Sequence, residues 1–272
     1  GRFLAFFSLA SNLISSDNNY SGDIFVRDRQ IGTTTRVSVK TGGIPADKES
    51  QHPSVTPDGR FVVFDSAATN IVTGDTNGAQ DVFVRDTLSV KTERVSLTNA
   101  GEQSPQHVIP DANADCGGAN VAAGSKTLWA GKVALSRNGA TVAYFGYPSN
   151  VIAGEQIADY INDLSTGVVC SVKGFYAISL SADGLHIAYE KYASPSPIEV
   201  RDLANGVTAV VSVRTDGSAA NGNHRYPTLS ADARFVAFES NSTEIVPGVS
   251  GGIFVRNLMA ANTLVVPGTE GG

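Results

Sequence analysis

A six-residue pattern of small, variable and apolar positions recurs five times along the chain. Each copy starts with glycine or alanine and ends with an aromatic residue; the copies lie at 1–6, 59–64, 139–144, 184–189 and 233–238. Four copies directly follow Asp or Asn, and either residue before Gly favours the positive φ of a tight hairpin. A short strand precedes each of these turns, at 54–56, 134–136, 179–181 and 228–230. Each unit is therefore predicted to begin as a β-hairpin.

Two further strands are predicted in every unit. The first of them lies at 23–28, 81–86, 160–163, 198–202 and 253–257. The second is rich in β-branched residues, which suit a packed, pleated surface, and lies at 35–39, 93–97, 168–172, 210–213 and 264–266. Each unit is thus a meander of four short strands.

The spacing of the units predicts the architecture. Successive copies start 58, 80, 45 and 49 residues apart, and four strands in about 40 to 50 residues is the period of a β-propeller blade. We predict an all-β fold, a single propeller domain over residues 1–272 with five recognisable blades. The blades span approximately 1–52, 53–101, 133–174, 177–221 and 225–268, and residues 102–132 are an insertion before the third blade.

The units resemble the WD40-like, TolB-type propeller repeat that is common in exported bacterial proteins. The matching residues are 229–232 followed by 234–238, and 74–78 followed by 81–86. Blades three to five lack the Asp-Thr-Asn-Gly segment found at 75–78. The resemblance implies a propeller and an extracellular or periplasmic location, but it does not imply one function, because such repeats serve as scaffolds, binding platforms and enzyme domains alike.

The first blade lacks its innermost strand, because the chain opens directly at the second one. Two explanations remain open. The chain is a fragment of a longer polypeptide, or a neighbouring chain donates the strand and caps the exposed edge. Strand donation would make the chain a subunit of a homo-oligomer or a fibre.

Composition narrows the classes of partner. The 28 glycines and a charged fraction of 17% suit a turn-rich β protein, and 42% hydrophobic residues suffice for a core. A net charge of −6 argues against a nucleic acid partner, since phosphate binding needs a basic surface. No apolar run approaches the roughly 20 residues that a membrane-spanning helix requires.

Two loops carry oxygen-bearing side chains at matching offsets, namely Asp75, Asn77 and Asp81 in one and Asp17, Asn19 and Asp23 in the other. The pattern resembles the front half of a calcium loop, although neither loop has the bidentate Glu at its twelfth position. Calcium is therefore one hypothesis for both loops. The alternative is an Asx-type turn that satisfies its own backbone.

Three histidines lie in segments that lead into a first strand: His52, His107 and His224. Such loops share one face of a propeller near its axis, so the imidazoles would converge on a transition metal of the kind a lyase or hydrolase uses. Pectate-degrading lyases of propeller fold are similar in using such histidines. The inexact alignment favours the alternative, solvated loop histidines.

The two cysteines, Cys116 and Cys170, would either form one disulfide that fixes the insertion to the third blade or remain free thiols. Neither has the partner spacing of a zinc site.

No catalytic set emerges from the sequence. There is no Gly-x-Ser-x-Gly elbow and no P-loop lysine. Glu190 and Glu239 share one strand position in two blades, which indicates a structural place, and the repeated Arg-Asp pairs such as Arg85 and Asp86 are expected to bridge neighbouring blades. We predict a non-enzymatic extracellular or cell-surface module that binds protein or polysaccharide, or that assembles. The alternative is a carbohydrate-active lyase or hydrolase, or the propeller part of a peptidase.

Overall fold

The computed structural model describes residues 1–15, 17–97, 113–114, 133–146, 158–165, 168–173, 175–191 and 193–266. Every regular element within these ranges is a β-strand. No helix in the described residues is long and apolar enough to cross a membrane. The strands form five separate sheets, numbered 1 to 5 along the chain.

Sheet 1 contains β1 (Phe3–Ser8), β2 (Asp23–Asp28) and β3 (Thr33–Arg36). Sheet 2 contains β4 (Ser50–Val55), β5 (Phe61–Ser66), β6 (Asp81–Asp86) and β7 (Lys91–Arg94). Sheet 3 contains β8 (Asn113–Ala114), β9 (Val133–Leu135), β10 (Thr141–Gly146), β11 (Ala158–Asp163) and β12 (Val168–Lys173). Sheet 4 contains β13 (Phe175–Leu180), β14 (His186–Lys191), β15 (Ile198–Asp202) and β16 (Thr208–Val210). Sheet 5 contains β17 (His224–Leu229), β18 (Phe235–Ser240), β19 (Gly252–Asn257) and β20 (Asn262–Val265).

Sheets 2 to 5 each contain a four-stranded antiparallel meander, whereas sheet 1 has three strands and starts at the strand equivalent to β5. Sheet 3 carries one strand more than predicted. From the predicted insertion, Asn113 and Ala114 pair in parallel with Cys170 and Ser171 on β12. The rest of the insertion, including Cys116, lies outside the described residues.

The hydrophobic core lies between the sheets. We call the face of a sheet that is turned towards the next sheet along the chain its downstream face, and the opposite one its upstream face. Ile24 and Val26 on the downstream face of sheet 1 pack with Val62 and Phe64 on the upstream face of sheet 2. Similar clusters join sheets 2 and 3, 3 and 4, and 4 and 5. Each sheet thus depends on its neighbours to bury its apolar side chains.

The hairpins between the first two strands of a unit have the predicted geometry. Gly59, Gly139 and Gly184 have φ of 74°, 73° and 74°, which confirms the prediction of positive φ at these turns. Ala233 takes the same place in sheet 5 with φ of 54°. The Asp or Asn before each turn residue accepts hydrogen bonds locally; for example, the Asp58 carboxylate accepts from the Arg60 backbone N–H at 3.0 Å.

Candidate functional site

The first of the two predicted calcium loops forms a compact ionic cluster in sheet 1. Nη1 of Arg36 lies 3.1 Å from Oδ1 of Asp17 and 3.1 Å from Oδ2 of Asp23. Asn19 donates to Asp23 at 3.0 Å, and the Ser38 hydroxyl donates to Asp23 at 2.5 Å. Ser38 in turn accepts from the backbone N–H of Ile24 at 3.1 Å, so the cluster is tied to the start of β2.

The second loop repeats this arrangement in sheet 2. Nη1 of Arg94 lies 3.1 Å from Oδ2 of Asp81 and 3.4 Å from Oδ1 of Asp75. The Ser96 hydroxyl donates to Asp81 at 2.6 Å, and Asn77 donates to the same carboxylate at 3.3 Å. All six residues of the calcium prediction are therefore brought together as two equivalent triplets, and each triplet faces a guanidinium.

Asp75 differs from its counterpart Asp17 in being poorly satisfied. Among the described residues, its two buried carboxylate oxygens have no hydrogen-bond partner. Burial raises the pKa of Asp75; the nearby Asp81 charge adds to this, and Arg94 opposes it. Arg36 and Arg94 are site residues that the sequence argument missed, although both precede a Val-Ser pair in the third predicted strand.

The described residues contain no group of three or more His, Cys, Asp or Glu side chains placed to hold a metal ion. Calcium at the two loops stays a prediction, and any such ion would compete with a guanidinium for the same carboxylates.

His52 and His224 occupy different places in their sheets. Ser50 pairs with Ser66 across β4 and β5, and His224 pairs with Ser240 across β17 and β18, so His224 is equivalent to Ser50. The counterpart of His52 is Tyr226, two residues further on. His107 lies outside the described residues, and the proposed convergence of three histidines stays a prediction.

The positions of His52 and Tyr226 are special in the backbone. Both have positive φ, 48° and 54°, both precede a proline, and both lie where the pairing with the second strand shifts register. A bulge of this kind changes the direction of a side chain relative to its neighbours in the strand. Consistent with that, Tyr226 is 57% exposed, and the His52 side chain is 37% exposed.

His52 forms a polar site with two residues of the neighbouring strand and loop. Its Nδ1 lies 2.9 Å from Oδ1 of the fully buried Asp65, and the Gln80 amide donates to the other oxygen of Asp65. The hydrogen bond with Asp65 raises the pKa of His52 above its ordinary 6.5. Burial raises the pKa of Asp65, and its contact with His52 opposes that shift.

His224 differs from His52 in its burial and in the direction of its pKa shift. Its ring is fully buried, its Nδ1 lies 2.8 Å from the Ser240 hydroxyl, and burial lowers its pKa. It also packs edge-on against Phe238, which makes it a core residue of sheet 5.

The expectation that the Arg-Asp pairs bridge neighbouring blades is wrong for Asp28, Arg85 and Asp86, whose partners lie in their own sheets. Asp86 pairs with Arg60 at 3.1 Å, and Arg85 donates to Thr92 at 3.0 Å, all within sheet 2. Asp28 pairs with Arg2 at 2.6 Å within sheet 1. The partners of each pair lie in the same sheet, so these contacts form without any contribution from a neighbouring sheet.

The remaining candidate site is the inner edge of sheet 1. Strand β1 pairs with β2 on one side, and no described strand pairs with it on the other. In sheets 2 and 5 that second side of the equivalent strand is occupied by β4 and β17. Within the described residues, the main-chain groups on that side of β1 therefore have no strand partner, and such an edge is the usual template for an added strand.

Comparison with known proteins identifies the fold. No known protein family matches the sequence, and no curated protein does either. Among solved structures, TolB from Acinetobacter baumannii matches with a TM-score of 0.50 and 14% identity, over 91% of this chain and 49% of that one. The fold is that of the TolB-type β-propellers. The predicted fold class is thereby confirmed.

Two further structures show how widely this fold is shared. The β-propeller domain of the trilobed protease from Pyrococcus furiosus, described as having an open velcro topology, matches with a TM-score of 0.56 and 9% identity, over 98% of this chain and 68% of that one. The acylaminoacyl peptidase of Pyrococcus horikoshii matches with a TM-score of 0.52 and 12% identity, over 94% of this chain and 37% of that one. This chain spans about half the length of the Acinetobacter TolB.

Proposed function

We propose that this protein is a non-enzymatic propeller module of the extracellular space, the cell surface or the periplasm, and that it binds another polypeptide by accepting a β-strand at the inner edge of sheet 1. The observation that carries the proposal is the unpaired edge of β1. The location rests on the likeness to a repeat that is common in exported bacterial proteins.

The chemistry of strand addition fits this edge. Backbone hydrogen bonds supply affinity that is independent of side chains, and alternate side chains of the added strand supply specificity. The innermost strands of the other units show what suits the position, because each has an aliphatic residue between two small or hydroxyl residues: Ser54-Val55-Thr56, Ala134-Leu135-Ser136, Ser179-Leu180-Ser181 and Thr228-Leu229-Ser230. We therefore expect a partner segment of that pattern.

The charged groups of the polar sites contact residues of their own sheets. The carboxylates of both ionic clusters lie beside arginine side chains, and Asp65 contacts both His52 and Gln80. The exposed bulge residues His52 and Tyr226 are suited to contact a ligand from the same end of the sheets.

A synthetic peptide with the sequence of residues 224–230 tests the proposal. Fluorescence anisotropy should show saturable binding of the labelled peptide, and the same peptide with N-methylated amides at Thr228 and Ser230 should bind at least tenfold more weakly. A variant with residues 224–232 copied in front of Gly1 supplies the strand in cis and should no longer bind. Equal binding of both peptides, or binding to the filled variant, would overturn strand addition.

A further inference from the structure

Among the described residues, those other than glycine that have positive φ divide between the two ends of the sheets. One group has aliphatic side chains and lies in the tight hairpins that join the first strand to the second or the third to the fourth: Val90, Ala233 and Ala261. The other group has ring side chains: Tyr20, His52 and Tyr226. It lies at the opposite end, which we call the loop end, where the second strand leads to the third and the first strand begins.

Tyr20 occupies a position that suits glycine. The ionic clusters of sheets 1 and 2 align Asp23 with Asp81, so Tyr20 corresponds to Gly78. Tyr20 has φ of 55° and Gly78 has φ of 66°, a conformation that is unfavourable for a residue with a β-carbon. Tyr20 is also 97% exposed, so burial of its ring does not offset the strain. Strained residues of this kind cluster at functional sites.

The loop that carries Tyr20 is fixed against the segment that leads into β4. The backbone N–H of Ser50 donates to the carbonyl oxygen of Gly22 at 2.9 Å. A β-carbon on Gly22 would lie 3.2 Å from Oε1 of Glu49, so this carboxylate lies beside the loop. The Glu49 carbonyl oxygen accepts from the backbone N–H of Ala67 in sheet 2 at 3.1 Å. Tyr20 and Glu49 thus belong to one surface that hydrogen bonds hold to both sheets.

His52 adds a polar ring to this surface, two residues after Ser50. Its Nδ1 contacts the Asp65 carboxylate, and its Nε2 has no hydrogen bond among the described residues. Because a carboxylate accepts, Nδ1 carries a proton, so Nε2 accepts a hydrogen bond in the neutral ring and donates one in the protonated ring. Hydroxyl groups both donate and accept, and they therefore suit Nε2 in either state.

The charges on this surface suit a neutral ligand. Asp47, Lys48 and Glu49 are consecutive and exposed, and His52 adds a positive charge when its ring is protonated. Like charges brought together across an interface oppose binding. An anionic ligand would be repelled by the two carboxylates and by the net charge of −6, and a cationic ligand would be repelled by Lys48 and by protonated His52.

We propose that the loop end of sheets 1 and 2 binds a neutral oligosaccharide, with Tyr20 packed on the face of a sugar ring and with Glu49 and His52 hydrogen-bonded to hydroxyl groups of the ligand. A pyranose ring carries C–H groups that pack on an aromatic face, and its hydroxyls pair with carboxylate and imidazole groups. The site uses side chains and not the main-chain edge of β1, so it is independent of strand addition.

An array of immobilised glycans tests the proposal. It carries neutral oligosaccharides of glucose, galactose, mannose and N-acetylglucosamine, together with acidic polygalacturonate and heparin. The parent protein should bind at least one neutral oligosaccharide. Calorimetry with the neutral oligosaccharide that binds best then gives the affinity, at ligand concentrations up to about 10 mM because few polar contacts give weak binding.

The variants at Tyr20 separate a binding role from a structural one. Tyr20→Gly should weaken binding at least tenfold, yet it should unfold at the same or a higher urea concentration, because it relieves the strained φ. Tyr20→Phe keeps the ring and should keep the binding. Val90→Gly relieves a φ of 57° at the hairpin end of sheet 2. It is the matched control and should bind as the parent does.

Glu49→Gln and His52→Ala test the polar contacts, and each should weaken binding severalfold. Binding to no neutral oligosaccharide, binding to acidic glycans alone, or equal affinities of the parent and Tyr20→Gly would each overturn the proposal. The peptide of residues 224–230 should bind Tyr20→Gly as it binds the parent, so failure of the sugar site is distinguishable from failure of strand addition.

Discussion

The ring of Phe3 occupies the space where a side chain on Gly59 would lie. A β-carbon on Gly59 would be 2.5 Å from Cγ of Phe3, and Phe61 has the same relation to Gly139 one sheet later. Strand β1 thus packs on the hairpin of sheet 2, and β5 packs on the hairpin of sheet 3. The glycine serves both the positive φ of its turn and the contact between sheets.

We predict that Gly59→Ala is more destabilising than Gly74→Ala. Both glycines have positive φ, 74° and 80°, but nothing lies near a β-carbon on Gly74. Loss of the left-handed preference costs about 1 to 2 kcal/mol at either site, and overpacking against Phe3 adds about 1 to 3 kcal/mol at Gly59 alone. Urea unfolding measures the difference. Equal losses would show that Phe3 moves aside without cost.

Removal of the guanidinium from the ionic cluster of sheet 2 should be costly. Arg94→Met leaves Asp75 and Asp81 buried without their cation, and loss of one partner from a buried ion pair costs about 3 to 5 kcal/mol. Lys91→Met breaks the exposed pair with Glu93 and should change the free energy of unfolding by about 1 kcal/mol or less. Similar losses in the two variants would contradict the structural role of Arg94.

The ionic clusters also allow a decisive test of calcium. Because Arg94 competes for the same carboxylates, we expect Arg94→Ala to bind Ca²⁺ at least tenfold more tightly than the parent protein in calorimetry. Asp75→Ala should abolish the heat. If neither the parent nor Arg94→Ala releases heat, the loops are polar turns and the calcium hypothesis ends.

The His52 site should be visible in its titration. The raised pKa of His52 stems first from its hydrogen bond with Asp65, so Asp65→Asn should lower it towards 6.5. Stability from a histidine with a raised pKa is complete below the unfolded value and is lost as the pH rises through the folded one. NMR resolves the imidazoles, and His224, whose pKa burial lowers, should be unaffected in the same spectra. A His52 titration unchanged by Asp65→Asn would exclude the coupling.

Acid should destabilise the turns that follow Asp28 in sheet 1 and Asp86 in sheet 2. Burial opposes ionisation of Asp86, but hydrogen bonds from Arg60, Ser89 and Leu88 outweigh it and hold the pKa of Asp86 at about 2. A depressed carboxyl pKa contributes stability above its ordinary 3.8, and this is lost as the pH falls towards 2. Arg60→Met should raise the pKa of Asp86 and leave that of Asp28, which pairs with Arg2, at about 2. Carbon-13 NMR of the carboxyl groups checks both.

The strands and the hairpin glycines could be predicted because the same sequence pattern recurs in every unit. The two-place difference between His52 and His224 follows from their spacing to Pro53 and Pro227, but their environments were not predictable from it. Both strands have a bulge at the same place; His52 lies in the bulge, with positive φ, whereas His224 lies two residues before it. The arginines were missed because they belong to the following strand. Only the pairing of β6 with β7 brings Arg94 to the carboxylate of Asp81, 13 residues earlier.

Because each apolar cluster is shared by two adjacent sheets, the molecule should behave as a one-dimensional array of coupled units. Among the described strands, comparable contacts join sheets 2, 3 and 4 to two sheets each, and sheets 1 and 5 to one each. Amide hydrogens of the terminal sheets should accordingly exchange with solvent first, and unfolding should proceed inward from both ends. A ligand bound to sheet 1 or to sheet 5 would then protect the whole array from unfolding. It would stabilise a terminal sheet, and the unfolding of that sheet would expose the sheet next to it.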